Sequence, residues 1–360
     1  MLLLDSLNAA DYLRSTGRIA RGEKVEVSEL AGGVSNVVLY VSRAEGADFV
    51  VKQARKQLRV PEPWFCSEDR IWREVEVLRI CAQALANREP IGERQGCVPE
   101  VLWEDHDEFA FGMTAIPRTA GNWKEQLLAG DLDPEVAAAA GAMLGRLHAA
   151  TWHHPAIAAV LEDRRFFDSL RLDPYYRRVA QVRPELQPQL EQLIHDCWAG
   201  RHCLVHGDFS PKNLLVTSDR LWLLDCEVGH YGDPAFDVGF LLTHLTLKSF
   251  RAGRDWQRHY MLLDKAIRHY WRQLTLAAAF RAQEEENDYA GRVSRHWGAC
   301  LFARLDGKSR VDYLADESRR DAVRTLAREL LGRQSCRWGA LRDPLPEALL
   351  HASHQPPVCS

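Results

Sequence analysis

The stretch Leu204-Val205-His206-Gly207-Asp208-Phe209-Ser210-Pro211-Lys212-Asn213-Leu214-Leu215-Val216, continued by Leu221-Trp222-Leu223-Leu224-Asp225-Cys226-Glu227, constrains this chain more than any other. The runs 214–216 and 221–225, separated by Thr217-Ser218-Asp219-Arg220, predict a β-hairpin with a four-residue loop. If Val216 pairs with Leu221, Asn213 lies opposite Leu224 and beside Asp225. The two polar residues then meet at the end of the hairpin away from its turn. An amide oxygen and a carboxylate converging there supply two hard ligands for Mg²⁺. Asp208 lies five residues before Asn213, on the loop entering the same end. A carboxylate there is placed to accept a proton from an incoming hydroxyl. The competing reading is an ordinary hairpin whose polar ends are satisfied by water.

Sequence patterns upstream and downstream bear on that choice. The first third is strand-rich: 25–30, 37–41, a short strand ending at Lys52, and 109–116, stopped by Pro117. Lys52 is placed to meet a phosphate, although a lysine at a strand end is more often merely exposed. A helix over about 68–86 carries Ile71, Val75, Leu78 and Ala82 at helical spacing. Glu74 borders that apolar face and Glu76 points away from it, so Glu74 is the expected partner of Lys52. Gly32-Gly33 and Ser35, between two strands, could bring backbone and a hydroxyl close to a phosphate, or simply form a turn. Asp133-Pro134 opens an alanine-rich helix running to about His148, and helices dominate from there. Asp233-Pro234 opens another, with Asp237 in its first turn, where it can brace the 206–208 loop or merely complement the helix dipole. Glu227, two residues past Asp225, shares its face if the segment is extended. It would then touch a second Mg²⁺ or a substrate hydroxyl; otherwise it is a surface carboxylate.

Charge and cysteine usage exclude several classes. Lys plus Arg number 46 against 50 Asp plus Glu, a net charge of −4 that gives no support for nucleic-acid binding by the whole chain. Nine scattered cysteines without a Cys-x-x-Cys are expected to be reduced thiols of a cytoplasmic protein. The N-terminus lacks the basic and apolar regions of a signal peptide, and no stretch reaches the ~18 apolar residues of a membrane span.

Protein kinases place an Asp base and an Asn metal ligand on one loop, with a metal-binding Asp downstream. Asp208, Asn213 and Asp225 match that order. His206-Gly207-Asp208-x-x-x-x-Asn213, Leu224-Asp225-x-Glu227 and Gly232-Asp233-Pro234-Ala235-Phe236-Asp237 together resemble the aminoglycoside phosphotransferase and choline kinase-like family. Ala142–Ala149 resembles the helix preceding its catalytic half. The resemblance covers about residues 25–250 and implies an α+β, bilobal protein-kinase-like fold. A small antiparallel-sheet lobe (1–117) would bind the nucleotide. A larger, mostly helical lobe (118–360) would hold the catalytic groups and the acceptor. It further implies ATP and Mg²⁺ as cofactors, Asp208 as base, and Asn213, Asp225 and Glu227 at the metal. Lys52, Glu74, Gly32, Gly33 and Ser35 would lie about the phosphates, and the hinge at Ile116 would hold the adenine.

A narrower resemblance to methylthioribose kinase rests on Val51-Lys52-Gln53-Ala54, Leu58-Arg59-Val60, Glu62-x-Trp64, Asp69-Arg70, Glu74 and the Asp225-x-Glu227 pair. The chain departs from that pattern at Asn213 and in the loop 32–36. The implied reaction is γ-phosphoryl transfer to a hydroxyl of a small, sugar-like alcohol. Aminoglycosides and choline-type amino alcohols are the alternative acceptors, and an inactive kinase-like binding protein is the non-enzymatic alternative. A protein kinase fits less well, with Asp225-Cys226-Glu227 in place of Asp-Phe-Gly and no Ala-Pro-Glu after it. Residues 292–342 hold 12 Lys plus Arg against 6 Asp plus Glu, a net of +6. That points toward a neutral or anionic acceptor, or to solvated helix faces. Arg304-Leu305-Asp306-Gly307-Lys308-Ser309 contains Gly-Lys-Ser but lacks the earlier glycine of a phosphate-binding loop.

Overall fold

The structure is a computed structural model describing residues 2–30, 35–59, 65–86 and 94–354. After a short helix α1 (Ala9–Ser15) come strands β1 (Val25–Glu29), β2 (Asn36–Arg43) and β3 (Phe49–Ala54). Helix α2 (Arg70–Leu85) follows, then β4 (Gln95–Cys97), β5 (Val101–Asp105) and β6 (Ala110–Thr114). Five of these strands form an antiparallel sheet in the order β1-β2-β3-β6-β5. β3 is central and buried throughout, and its residues alternate between two cores as a strand's period of two demands. Phe49 and Val51 pack with Leu4, Leu13 and Leu39 under α1. Val50 and Ala54 face the other way, toward α2 and the main core. Lys52 shares that second face, paired in register with Val38 and Phe111.

The buried stripe of α2 contains Ile71, Glu74, Val75, Leu78, Cys81 and Leu85. Ala82, expected on this stripe, is exposed. The stripe continues from Leu78 by an i+3 step to Cys81, because a helix at 3.6 residues per turn drifts against a strict i+4 series.

The remaining described chain is mostly helical. Short strands β7 (Gly121–Asn122), β8 (Cys203–Val205), β9 (Leu214–Val216), β10 (Arg220–Leu223) and β11 (His230–Gly232) are inserted among helices. Of these helices, α3 (Pro134–Thr151), α4 (Ala235–Ala252), α5 (Trp256–Leu276), α6 (Gln283–Asp306) and α7 (Glu317–Gly332) build the main core. The acidic run 284–286 occupies the first turn of α6, where the helix dipole favours it. α4 is buried on every side from Ala235 to Phe250, as a helix at the centre of a bundle is, and it carries Asp237, His244 and Lys248 into the interior. α3 starts as its sequence predicts, with the Asp133 carboxylate accepting from the Glu135 N–H at 2.8 Å.

α3 lies unusually close to α5. A Cβ at Gly141 would fall 1.9 Å from the Ala266 carbonyl oxygen. Backbone cannot yield as a flexible side chain can, so Gly141→Ala is expected to destabilise the fold by about 1–3 kcal/mol, as overpacking does. Chemical denaturation measures this, and an unchanged midpoint would show that the two helices separate at little cost.

Candidate active site

The hairpin forms in the predicted register, with Leu221 opposite Val216, Trp222 opposite Leu215 and Leu223 opposite Leu214. The Leu224 N–H donates to the Asn213 carbonyl at 3.0 Å, which fixes the polar end of the hairpin. β8 delivers the chain to the 206–208 loop and is itself held by antiparallel pairing with β11. Gly207 has φ +77°, a left-handed turn that glycine enters without steric cost. Asp237, in the first turn of α4, accepts from the His206 N–H at 2.6 Å and the Gly207 N–H at 2.8 Å. Burial opposes that charge, but the bond to His148 and the loop's donors hold the Asp237 carboxyl below its ordinary pKa. His206 ties the loop to the hairpin: Nδ1 faces the Asp208 N–H at 3.1 Å and Nε2 the Leu224 carbonyl at 3.1 Å.

Asp208 is thus presented on a rigid turn, 2% exposed, and its carboxylate is fully engaged. Arg171 Nη2 lies 2.9 Å from Oδ1, while Lys212 Nζ and Asn213 Nδ2 each lie 2.8 Å from Oδ2. Burial alone would raise its pKa. Arg171 and Lys212 outweigh burial and hold it below the usual carboxylate range.

Across the cavity, Lys52 Nζ lies 2.7 Å from Glu74 Oε1 and 2.9 Å from Asp225 Oδ1. Burial would discharge Lys52, but the two carboxylates more than reverse that and raise its pKa. Burial raises the pKa of Glu74, despite Lys52, and its second oxygen, Oε2, is buried without a hydrogen-bond partner among the described residues. Asp225 is held strongly ionised, Lys52 and Lys212 overcoming its burial.

Asp225 has φ +65°, so the segment after β10 turns sharply and is not extended as predicted. The alternation argument for Glu227 therefore fails, yet the turn still carries Glu227 into the same cluster. Ligand atoms of Glu74, Asp225 and Glu227 all lie within 4.8 Å of one another. Glu227 is buried, which removes the reading of it as a surface carboxylate. It accepts from Ser35 Oγ at 2.6 Å and Asn36 Nδ2 at 3.0 Å, and pairs with Arg70 Nε at 3.1 Å.

A cavity of about 1190 Å³ is lined by Lys52, Glu74, Asp208, Asn213, Asp225 and Glu227 together, and by Ser35. Ile116 does not line it. Met113, near the end of β6, does. Gly32, Gly33, Glu62 and Trp64 lie outside the described residues. Three groups that hold the site were not found from sequence: Arg171, Arg70 and Lys212. Arg171 lies in a π-helical stretch, Asp168–Arg177, whose internal Pro174 was the one available signal of irregular backbone. Glu76 stands apart from the cluster, half-exposed and 3.7 Å from Arg73.

This placement predicts a clear contrast. Glu74→Gln should reduce turnover clearly by misplacing Lys52, whereas Glu76→Gln should have little effect on turnover or stability. Steady-state kinetics on the pair is internally controlled, since both changes remove one charge from the same helix. Greater damage from Glu76→Gln would mean that Lys52 is aligned by another group.

A buried lysine held between two carboxylates, facing a buried aspartate on a braced loop, is the arrangement of a phosphoryl-transfer enzyme. Residues 26–264 match the profile of the phosphotransferase enzyme family, and the chain belongs to that family. It is a small-molecule kinase. Methylthioribose kinase of Pectobacterium carotovorum is 24% identical over 347 residues, spanning 86% of this chain and 83% of that one. Methylthioribose kinase of Yersinia pseudotuberculosis is 25% identical over 345 residues, spanning 86% and 81%. Among solved structures, a Ralstonia eutropha protein proposed to be an aminoglycoside phosphotransferase superposes with a TM-score of 0.52 at 15% identity, over 94% of this chain and 98% of that one. That likeness speaks for the fold, which is the bilobal kinase-like one expected. Among the described residues, no helix is long and apolar enough to cross a membrane.

Proposed function

We propose that this chain transfers the γ-phosphoryl group of ATP to a hydroxyl of a sugar-like small molecule, an acceptor of the methylthioribose type. The observation that carries the reading is the opposition of two charge sets across one cavity: Asp208 with Arg171 and Lys212, and Lys52 with Glu74 and Asp225. In this reading the sheet-containing lobe, to about residue 117, holds the nucleotide and the helical lobe holds the acceptor. Lys52, aligned by Glu74, meets the α- and β-phosphates. Ser35, which lines the cavity, lies beside them, and the backbone that follows β6 meets the adenine.

Asp208 orients the acceptor hydroxyl and accepts its proton. Its lowered pKa keeps it a carboxylate at neutral pH, and Arg171 and Asn213 fix its plane. Lys212 is half-exposed at 48% against 11% for Arg171, so it is the partner free to leave Asp208 and meet the transferring group. As the new O–P bond forms, the bond to the leaving β-phosphate oxygen breaks, ADP departs and the proton rests on Asp208. The site's donor set fits Mg²⁺: hard carboxylate oxygens clustered with the orphaned Glu74 Oε2. Asn213, Asp225 and Glu227 would hold the ion, which neutralises phosphate charge when bound. Positioning and charge neutralisation then supply most of the rate. A screen of alcohols and sugars for acceptor-dependent ADP release from Mg²⁺-ATP tests the reading. ADP release that no small acceptor stimulates would count against it.

A further inference from the structure

The cavity continues past Asp208 into a corner rich in cations, two of which, Lys124 and Arg304, have no ion pair among the described residues. Arg171, besides holding Asp208, lies with its Cζ 5.7 Å from the Tyr175 ring centroid and 5.8 Å from that of Phe240. From there the contacts pass to Arg304, whose Nη1 donates to Tyr175 Oη at 3.4 Å and Ser309 Oγ at 2.6 Å. Both acceptors are neutral, and among the described residues Arg304 Nε is buried without a hydrogen-bond partner. Phe240 packs edge-on to His244, 4.8 Å between ring centroids. His244 is 7% exposed and lines the cavity, and its buried Nε2 has no hydrogen-bond partner among the described residues. Lys124 and Lys308 also line the cavity. Among the described residues Lys124 has no ion pair, and Lys308 has a loose one to Asp173 at 3.5 Å.

Behind this wall lies Lys248, 2% exposed, whose ammonium donates to the His244 carbonyl at 3.2 Å. Burial and its charged neighbours Lys124, Arg304 and Arg251, all cations, push its pKa down to about 7. Burial, with Arg304 and Lys248 adding, likewise keeps His244 neutral. Its Nε2 is then an N–H donor in one tautomer. Besides Glu74, Asp208, Asp225 and Glu227, three further carboxylates line the cavity: Asp168 is paired with Arg177 at 2.6 Å, Asp173 with Lys308, and Glu125 is exposed. Unpaired like charges in a half-buried corner repel one another, and an anion would relieve that cost.

We infer that this corner is an anion subsite, and that the acceptor is a polyhydroxy compound bearing a carboxylate or phosphoryl group, gripped by Arg304, Lys124 and His244 while a hydroxyl faces Asp208. The inference rests on the phosphotransferase reading above; it keeps a sugar-like acceptor but departs from methylthioribose itself, which carries no anionic group. Of the cations in the basic stretch 292–342, Arg304 and Lys308 line this corner, while most of the others pair with carboxylates elsewhere.

The test is direct binding to the full chain with Mg²⁺ and a non-hydrolysable ATP analogue. Calorimetry compares three probes with similar six-carbon chains: neutral glucitol, gluconate and glucitol 6-phosphate. At least one anion should bind about 10-fold or more tighter than glucitol, and which one does so distinguishes carboxylate from phosphate. Arg304→Gln and, independently, Lys124→Gln should weaken that anion about 10–100-fold, the worth of a charge-assisted hydrogen bond. Neither change should alter nucleotide affinity. Two variants guard against a folding defect in either. Equal or tighter binding of glucitol, no binding of either anion, or variants that weaken all probes alike would overturn the subsite. Transfer to neutral alcohols without anion preference would overturn the subsite and leave the kinase reading intact. Anion binding without transfer to any alcohol would do the reverse.

Discussion

Asp208→Asn is expected to lower kcat by ~10²-fold or more while leaving the affinity for Mg²⁺-ATP nearly unchanged. The exchange is close to isosteric, and the loop that carries the residue is held mainly by other bonds. Asp237 fixes the His206 and Gly207 amides, and His206 reaches across to Leu224. What is lost is the proton acceptor and the negative partner of Arg171 and Lys212. Lys52, Glu74 and Asp225 remain paired with one another, so the nucleotide side is undisturbed. Kinetics with a nucleotide titration checks both halves. Equal turnover in mutant and wild type would remove Asp208 from the proposed role.

Asp225→Asn is expected to weaken Mg²⁺-ATP binding and turnover together. The position has φ +65°, a conformation Asp and Asn tolerate better than other side chains, so Asn keeps the turn where Ala would strain it. The substitution removes one of the three clustered carboxylates and the ion pair to Lys52. Phosphate charge is then left less neutralised, and the lysine that should meet it loses an anchor. Nucleotide titrations with and without Mg²⁺ separate the two effects. A variant retaining the full metal dependence of ATP affinity would show that Asp225 is not a ligand.

The groups legible in the sequence are those positioned by short-range geometry. The hairpin register follows from two apolar runs and a loop of fixed length, and it places Asn213 and Leu224 together without reference to the rest of the chain. Glu74 could be separated from Glu76 because a helix turns ~100° per residue, which puts only one of them beside the apolar stripe. Its contact with Lys52 then needs β3 and α2 to pack, which their shared apolar faces ensure.

Arg171, Arg70 and Arg304 were not legible in these roles. Each acts at a sequence separation that no period or spacing encodes: Arg171 on Asp208, Arg70 on Glu227, Arg304 on Tyr175. Glu227 reached the cluster for a different reason from the one alternation supplied. The left-handed turn at Asp225 redirects the chain, and one backbone angle of that kind is invisible in a pattern of residue types. Ile116 does not line the cavity, and the strand expected over 109–116 spans only Ala110–Thr114, since strand ends depend on pairing partners rather than local sequence.

Mass-spectrometric detection of the phosphorylated acceptor tests the central claim most directly. Wild-type protein is incubated with Mg²⁺-ATP and a mixture of neutral, anionic and cationic polyhydroxy compounds, beside Asp208→Asn. The expected result is one acceptor class gaining a single phosphoryl group, with an equal amount of ADP, and loss of that product in the variant. ATP turnover with no phosphorylated acceptor in any class, or the same product formed as fast by Asp208→Asn, would contradict the account.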